Sequence, residues 1–327
     1  MKKRILAGIL SVAVVGCLIT GCGNGSDGKN TEQATLNMAY QYGLAYAPII
    51  VAKEEGYIEE AYKEATGKEV TINWNQMSSG ADINTGIAGG SIQVGFMGAA
   101  PAITGVVSNV GYKIFTNISG QEFGLMTNTD VKSLEELVGS DKQIALVNIG
   151  SIQHITLARA LVNAGLDAHA LDNNIVAMKH PDGMASLQSG SIACHLTNSP
   201  YIYSEREDEN LTEIEGVNKV TSLEKSFIVG VAANSLYEDN KELYEAVCDG
   251  MEKAMDDINT SPDKVAKLTY ELDGNDEETE LSYLKKGYYS TTTKGCLALA
   301  QFMAENGFID ASVNSFSDIA FDNVVGD

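Results

Sequence analysis

The chain has 327 residues and carries 44 acidic against 22 basic side chains, a formal net charge of −22. This charge argues against nucleic acid as a partner, because the phosphate backbone would repel the protein, and it favours high solubility. The length is sufficient for two lobes of ordinary domain size.

The N-terminus predicts an exported protein. Three basic residues at positions 2–4 precede an apolar run at 5–19, which is too short to span a bilayer, since a membrane helix needs about 20 residues, but suits a secretory signal. The sequence Ile19-Thr20-Gly21-Cys22 then resembles the bacterial lipobox, in which the cysteine is acylated and becomes the first mature residue. We therefore predict a lipoprotein signal peptide at 1–21 and a lipid anchor on Cys22 that holds the protein to the outside of the cell membrane.

Residues 22–34 are rich in glycine and polar side chains and predict a flexible tether. Alternation of apolar and polar residues then predicts strands, and helical spacing with proline starts and glycine ends predicts helices. In the first part of the chain, strands are predicted at 36–40, 70–74, 94–97, 114–117 and 123–126, and helices at 49–55, 57–66, 81–88 and from Pro101.

The same reasoning continues to the C-terminus. Helices are predicted at 133–138, 151–164, 184–189 and 200–207, and strands at 144–147, 175–178 and 192–196. After an apolar segment at 227–233, helices are predicted at 237–258, 262–272, 277–288 and 294–305, so the last third is almost all helical. Strands that alternate with helices indicate an α/β fold of mostly parallel sheets flanked by helices.

The cysteines indicate neither a metal site nor a disulfide framework. Once the signal is removed and Cys22 is lipidated, Cys194, Cys248 and Cys296 remain, widely spaced and without a C-x-x-C motif. Each is expected to be a small buried hydrophobic residue, although one bridged pair stays open. We predict no metal and no cofactor.

Several segments, in order along the chain, match the pattern of one known family. They are Ala47-Pro48 with Glu54-Glu55-Gly56-Tyr57-Ile58, the turn at 89–95, the small-residue loop at 98–101, the segments at 133–145 and 150–166, and Leu187-Gln188-Ser189-Gly190-Ser191-Ile192 with Pro200-Tyr201. Together, over residues 35–325, they resemble the nitrate/sulfonate/taurine class of periplasmic-type binding proteins, which also includes binders of thiamine-pyrimidine precursors.

The resemblance implies a type II periplasmic-binding-protein fold with two α/β lobes. Lobe 1 would comprise residues 35–127 and 226–327, and lobe 2 residues 128–225. A small-molecule ligand would bind in the cleft between them and be enclosed by hinge closure. The protein would be a monomer that delivers this ligand to the permease of an ABC transporter.

Four loops are candidates for ligand contact, because ligands of open α/β sheets bind beyond the carboxyl ends of the strands, where helix N-termini offer unpaired N–H groups. The candidate residues are Tyr42, Gly43, Gly98, Ala99, Gly150, Ser151, His154, Asn198 and Ser199. Each has a simpler interpretation as a turn, cap or packing residue, packing above all for His154. His169, His180 and His195 are isolated in the sequence and receive no role.

The ligand is predicted only as a class. Asn198 and Ser199 stand where many family members have an aromatic and an acidic residue before the proline, and the candidate loops contain no Arg or Lys. We therefore expect a sulfonate, nitrate, taurine or pyrimidine-like molecule. The alternatives are a pyrimidine-synthase-like enzyme on the same fold and a surface lipoprotein without a transport role. The sequence lacks a G-x-S-x-G, H-E-x-x-H or Walker motif, so we predict a binding protein and not an enzyme.

Overall fold

The computed structural model describes residues 34–222 and 224–327. The predicted signal peptide, Cys22 and all of the predicted tether except Ala34 lie outside these ranges. Within them, no helix combines the length and the apolar character that a membrane crossing requires.

The described ranges contain eleven strands and fourteen α-helices. The strands are β1 (Ala34–Tyr40), β2 (Val70–Gln76), β3 (Val94–Gly98), β4 (Tyr112–Gly120), β5 (Phe123–Thr127), β6 (Ile144–Leu146), β7 (Ile175–Ala177), β8 (Cys194–Asn198), β9 (Thr212–Ile214), β10 (Ile228–Ala233) and β11 (Tyr288–Tyr289). The helices are α1 (Ala47–Glu55), α2 (Tyr57–Thr66), α3 (Gly80–Ala88), α4 (Ala99–Val107), α5 (Leu134–Leu137), α6 (Ile152–Asn163), α7 (His180–Gln188), α8 (Tyr201–Glu207), α9 (Val217–Val220), α10 (Asn234–Asp239), α11 (Lys241–Thr260), α12 (Pro262–Asp273), α13 (Glu277–Leu284) and α14 (Cys296–Glu305).

The strands form two mixed sheets, in the orders β11-β4-β10-β3-β1-β2 and β7-β6-β8-β5-β9. In the first, β1 is parallel to β2 and β3, whereas β10 lies antiparallel between β3 and β4. In the second, β6 is parallel to β7 and β8, whereas β5 is antiparallel to β8 and β9. The α/β class is confirmed, and most strands of each sheet share one direction. The antiparallel exceptions include β5 and β10, the strands by which the chain enters the second sheet and returns to the first.

Sheet membership shows where the chain crosses. It leaves the first sheet after Gly120, enters the second at Phe123 and returns at Ile228. The structure thus puts β5 with the second sheet, whereas the predicted first lobe ran to residue 127. Every residue of β5 is buried, so its sequence carries no alternation that would assign it to either sheet. The division into lobes otherwise stays a prediction.

Three helix predictions near the site and in the last third were wrong at their boundaries. Helix α7 begins at His180 and not at 184, because Pro181 occupies its first turn, where proline is favoured. The predicted helix at 237–258 is two helices, since Asn240 takes a non-helical backbone conformation (φ −140°, ψ 64°). The predicted helix at 277–288 ends at Leu284, and Tyr288–Tyr289 then pairs with β4.

The three cysteines within the described ranges are free thiols. Cys194 and Cys296 are buried and Cys248 is half-buried, as small hydrophobic residues would be. Burial raises the pKa of all three thiols, which keeps them protonated and unreactive. Within residues 34–222 and 224–327, no group of three or more His, Cys, Asp or Glu side chains is arranged to hold a metal ion.

Candidate functional site

The carboxyl ends of strands from both sheets face one cleft. It holds two cavities, which share the lining residues Gln41, Tyr46, Val147, Gln153 and Phe227. Cavity A, of about 200 Å³, is further lined by Asn84, Gly98 and the start of α6 at 150–152. Cavity B, of about 220 Å³, is further lined by Tyr42, Lys179, His180, Asn198 and Tyr201. Both cavities therefore draw residues from both sheets.

The loop before α6 forms one wall of cavity A. Ser151 is the N-cap of this helix, and its Oγ accepts a hydrogen bond from the N–H of His154 at 3.2 Å. The N–H of Gly150 donates to His154 Nδ1 at 3.0 Å, while His154 Nε2 lies 2.9 Å from Asp172 Oδ1. His154 is buried and lies behind the cavity wall. In this structure it holds the loop in place, while Gly150 and Ser151 line the cavity.

A neighbouring helix comes so close to position 98 that there is no room for a side chain larger than that of glycine. Its φ of −55° is open to any residue, so the turn does not require glycine. A Cβ at this position would lie 2.9 Å from Cγ2 of Ile152 on α6. Gly98 therefore allows α6, which belongs with the second sheet, to approach the end of β3 in the first.

The nine candidate residues divide by position. Five line cavity A or B, and these are Tyr42, Gly98, Gly150, Ser151 and Asn198. The other four, Gly43, Ala99, His154 and Ser199, are not among the lining residues of either cavity. Ala99 and Ser199 are buried directly beside residues that do line them. Contact with a ligand stays a prediction for all nine.

Cavity B contains groups that the sequence analysis did not select. Lys179 and His180 begin α7, and Tyr201 begins α8 with its ring stacked on that of His180 at a centroid distance of 5.4 Å. The ammonium of Lys179 lies 5.5 Å from the ring centroid of Tyr42. The candidate loops contain no Arg or Lys, but Lys179, which lies outside them, lines cavity B. Pro181 could have predicted that a helix begins at this point, because proline is favoured in the first turn of a helix.

Two amides link the cavities to a buried turn. Asn198 Nδ2 donates to the carbonyl oxygen of Ser199 at 2.9 Å, which turns Asn198 Oδ1 toward Gln153. Gln153 Nε2 donates to Asn198 Oδ1 at 3.1 Å and lies 3.1 Å from His180 Nε2. Gln153 is thus the junction between α6, β8 and α7.

A chain of titratable groups continues behind His180. His180 Nδ1 lies 3.0 Å from His195 Nε2, and His195 Nδ1 lies 2.6 Å from Glu205 Oε1. Gly183 leaves room for this contact, since a Cβ there would lie 2.7 Å from His195 Nε2. We call Glu205, His195 and His180 the relay. His180 and His195, which are isolated in the sequence, thus lie side by side in the fold.

Burial dominates the electrostatics of the relay. The side chains of His195 and Glu205 have no solvent exposure. Burial raises the pKa of Glu205 to about 8 and lowers the pKa of His195. Burial, reinforced by the neighbouring His195, also lowers the pKa of His180. Neither ring is therefore expected to be an imidazolium at neutral pH.

Known proteins are similar to this chain in sequence and in fold. The chain is 24% identical to the taurine-binding periplasmic protein of Escherichia coli strain K12 across 88% of this chain and 92% of that protein. The periplasmic aliphatic sulphonate binding protein SsuA from Escherichia coli has a TM-score of 0.68 at 19% identity, covering 90% of this chain and 94% of that one. The periplasmic nitrate-binding protein NrtA from Synechocystis PCC 6803 has a TM-score of 0.71 at 13% identity, covering 90% and 86%.

These likenesses confirm the periplasmic-binding-protein fold and the resemblance to sulfonate, nitrate and taurine binding proteins. The model of one family also matches residues 29–209, which is more than half of the chain. The chain belongs to the NMT1-like family.

Proposed function

We propose that the protein is the extracytoplasmic solute-binding component of an ABC importer. It captures a small molecule in the cleft between its two sheets and passes it, as a monomer, to the permease. The observation that carries this proposal is the pair of cavities at the carboxyl ends of strands from both sheets, the position at which α/β folds bind ligands. The similarity to taurine-, sulphonate- and nitrate-binding proteins supports the same role.

The walls favour a small anion or a neutral polar molecule. Among the residues that line cavities A and B there is no Asp or Glu, although the chain has 44 acidic residues. Lys179 supplies a positive charge, and a helix N-terminus such as that of α6 offers N–H groups to anions. Aromatic side chains of Tyr46 and Phe227 supply an apolar surface for the rest of the ligand. A sulfonate, nitrate, taurine or pyrimidine-like molecule fits this chemistry.

Calorimetric titration with taurine, ethanesulfonate, nitrate and a hydroxymethylpyrimidine tests the ligand class. We expect at least one to bind with a Kd in the micromolar range and to raise the melting temperature by mass action. Lys179→Ala should weaken the binding of an anion. Lys219→Ala should not, because Lys219 is exposed and lines neither cavity. Failure of all four ligands, together with micromolar binding of an amino acid or a sugar, would show that the ligand class is wrong.

Binding without turnover separates this proposal from the enzyme alternative. Mass spectrometry of a ligand after prolonged incubation with the protein should recover it unchanged. Chemical conversion of that ligand would instead support a synthase-like enzyme on this fold.

We further propose that Cys22 is lipidated and tethers the protein to the outer face of the cell membrane. The lipobox-like sequence before Cys22 supports this step. Cys22→Ser should move the protein from the membrane fraction to the soluble fraction in its native host, as followed by immunoblot. Cys17→Ser, within the predicted signal, is the matched control and should leave the protein with the membrane. Membrane retention of the Cys22→Ser variant would contradict the anchor.

A further inference from the structure

The hydrogen bonds from the cleft to Glu205 have one consistent direction. The carbonyl oxygen of Ser199 can only accept, so the amide nitrogen of Asn198 faces it and Asn198 Oδ1 faces Gln153. The amide nitrogen of Gln153 then donates one N–H to Asn198 Oδ1 and the other to His180 Nε2. His180 Nε2 is therefore an acceptor in this arrangement.

The same direction continues through the relay. A neutral imidazole with an acceptor at Nε2 has its proton at Nδ1, so His180 Nδ1–H donates to His195 Nε2 at 3.0 Å. His195 in turn carries its proton at Nδ1 and donates to Glu205 Oε1 at 2.6 Å. Glu205 is a carboxylate in this state, and its Oε2 is buried without a hydrogen-bond partner among the described residues. A buried carboxylate with one unpaired oxygen is a state that favours proton uptake.

Uptake of one proton reverses the chain without making either ring cationic. Protonated Glu205 donates its O–H to His195 Nδ1, His195 donates from Nε2 to His180 Nδ1, and His180 then carries its proton at Nε2. Each ring keeps a single proton, and the net gain is the one proton on Glu205. His180 Nε2–H and the amide N–H of Gln153 now face each other across 3.1 Å. Two donors at this distance repel, but an acceptor atom placed against both satisfies both.

We propose that Glu205, His195 and His180 form a one-proton switch that sets whether His180 Nε2 is a donor or an acceptor at the wall of cavity B. A ligand that presents an acceptor oxygen to His180 and Gln153 is captured by the protonated form. This second statement rests on the proposed binding function, whereas the switch itself does not.

The charged groups near the relay are either exposed to solvent or paired with residues outside it. On α7, Lys179 and Asp182 are exposed to solvent. On α8, Arg206 pairs with Glu122 and Glu213, and Tyr201 stacks on His180. On α6, His154 pairs with Asp172. The relay therefore titrates as one unit, and the raised pKa of Glu205, about 8, puts its transition just above neutral pH.

Nitrogen NMR of the histidine rings tests the switch in the ligand-free protein. The chain has four histidines, which makes assignment direct. From pH 6 to 10 we expect the rings of His180 and His195 to stay neutral. The single proton of each ring should change position from Nε2 to Nδ1, with a shared midpoint near pH 8. Separate titrations of the two rings to imidazolium, or tautomers that do not change over this range, would overturn the proposal.

Glu205→Gln removes the ionisable group and should remove this midpoint. Glu207→Gln is the matched control, because it makes the same change on an exposed residue of α8 and should leave the midpoint in place. The wild-type titration decides the switch even if Glu205→Gln does not fold.

Binding of ethanesulfonate, whose charge is constant over this range, tests the coupling to ligand. Its affinity should be constant below pH 8 and fall about tenfold per pH unit above it, because the ligand favours the form that is lost as pH rises. In Glu205→Gln the affinity should be independent of pH. A flat profile in the wild type would overturn the coupling. No binding at any pH would count against the proposed ligand class, while the NMR titration still decides the switch.

Discussion

Gly105→Ala is expected to lower the free energy of unfolding by about 3 kcal/mol, which is roughly 6 °C or more in melting temperature. Gly105 lies in α4, and a Cβ there would be 1.9 Å from the hydroxyl oxygen of Tyr112 and 2.6 Å from its ring carbon Cζ. Tyr112 is almost fully buried, and its hydroxyl donates to Asn84 Oδ1 at 2.7 Å. The ring cannot retreat without breaking this bond and displacing the surrounding core.

Two opposing effects decide the size of this change. Alanine is favoured over glycine inside a helix by about 1 kcal/mol. Overpacking by about 1–3 kcal/mol and a buried hydroxyl that loses its partner, a further 1–3 kcal/mol or so, outweigh that gain. Because Asn84 also lines cavity A, displacement of Tyr112 should weaken ligand binding as well.

Urea unfolding of Gly105→Ala beside Gly89→Ala measures the effect. Gly89 ends α3 with an ordinary backbone conformation (φ −81°), and its Cβ would come no closer than 3.3 Å to another atom. This control should stay within about 1 kcal/mol of the wild type. Equal stabilities for the two variants would show that the close approach of Tyr112 to α4 is not present in solution.

Elements with local end signals could be predicted from the sequence. Helix α2 occupies 57–66 as expected, because Gly56 and Gly67 on either side take left-handed conformations that few other residues adopt. Helix α6 likewise starts directly after Ser151, whose side chain caps it. In both cases the residues that decide the boundary lie next to it in the chain.

Features that depend on distant partners could not be predicted. The antiparallel pairings of β10 with β3 and β4 join segments that lie more than a hundred residues apart in sequence, and all of β10 is buried. The relay likewise joins α7, β8 and α8, and a lone histidine in a sequence gives no sign of such partners. The predicted start of α7 at 184, four residues late, also removed Lys179 and His180 from consideration.

The candidate site was predicted at the level of loops and not of side chains. The loops after β1, β3 and β6 and the last residue of β8 do reach the cavities. Within these loops, however, neighbouring residues point in different directions, so Gly98 lines cavity A while Ala99 is fully buried. Sequence spacing does not fix these directions where a strand gives way to a helix.

Gln153→Glu is expected to make stability depend steeply on pH, because it changes a donor into an acceptor without changing the shape of the side chain. Gln153 is only 5% exposed, and its amide nitrogen faces two acceptors, Asn198 Oδ1 and His180 Nε2. A carboxylate in this position would face Asn198 Oδ1 at every pH, and above the midpoint of the relay it would also face His180 Nε2 as an acceptor, without a hydrogen to share with either. The folded state should therefore favour the protonated acid, whose pKa is raised above its value in the unfolded chain.

The sign of the pH effect follows from that raised pKa. At low pH the acid is protonated in both states, and the variant should be about as stable as the wild type. As pH rises past the unfolded value of about 4.3, only the unfolded chain gains the full stability of the carboxylate, so folding weakens. Between pH 5 and pH 9, a range that includes the transition of the relay near pH 8, we expect a loss of about 2 kcal/mol or more relative to the wild type.

Urea unfolding at pH 5 and pH 9 measures this loss, with Gln188→Glu as the matched control. Gln188 is exposed at the end of α7, so a carboxylate there stays hydrated and should leave the pH profile of the wild type unchanged. At pH 8 the buried charge of Gln153→Glu should also reduce the affinity for an anion such as ethanesulfonate by about a hundredfold, because like charges in a cleft repel by several kcal/mol. Parallel pH profiles for the two variants would contradict the donor role of Gln153, and with it the hydrogen-bond direction that connects the cleft to Glu205.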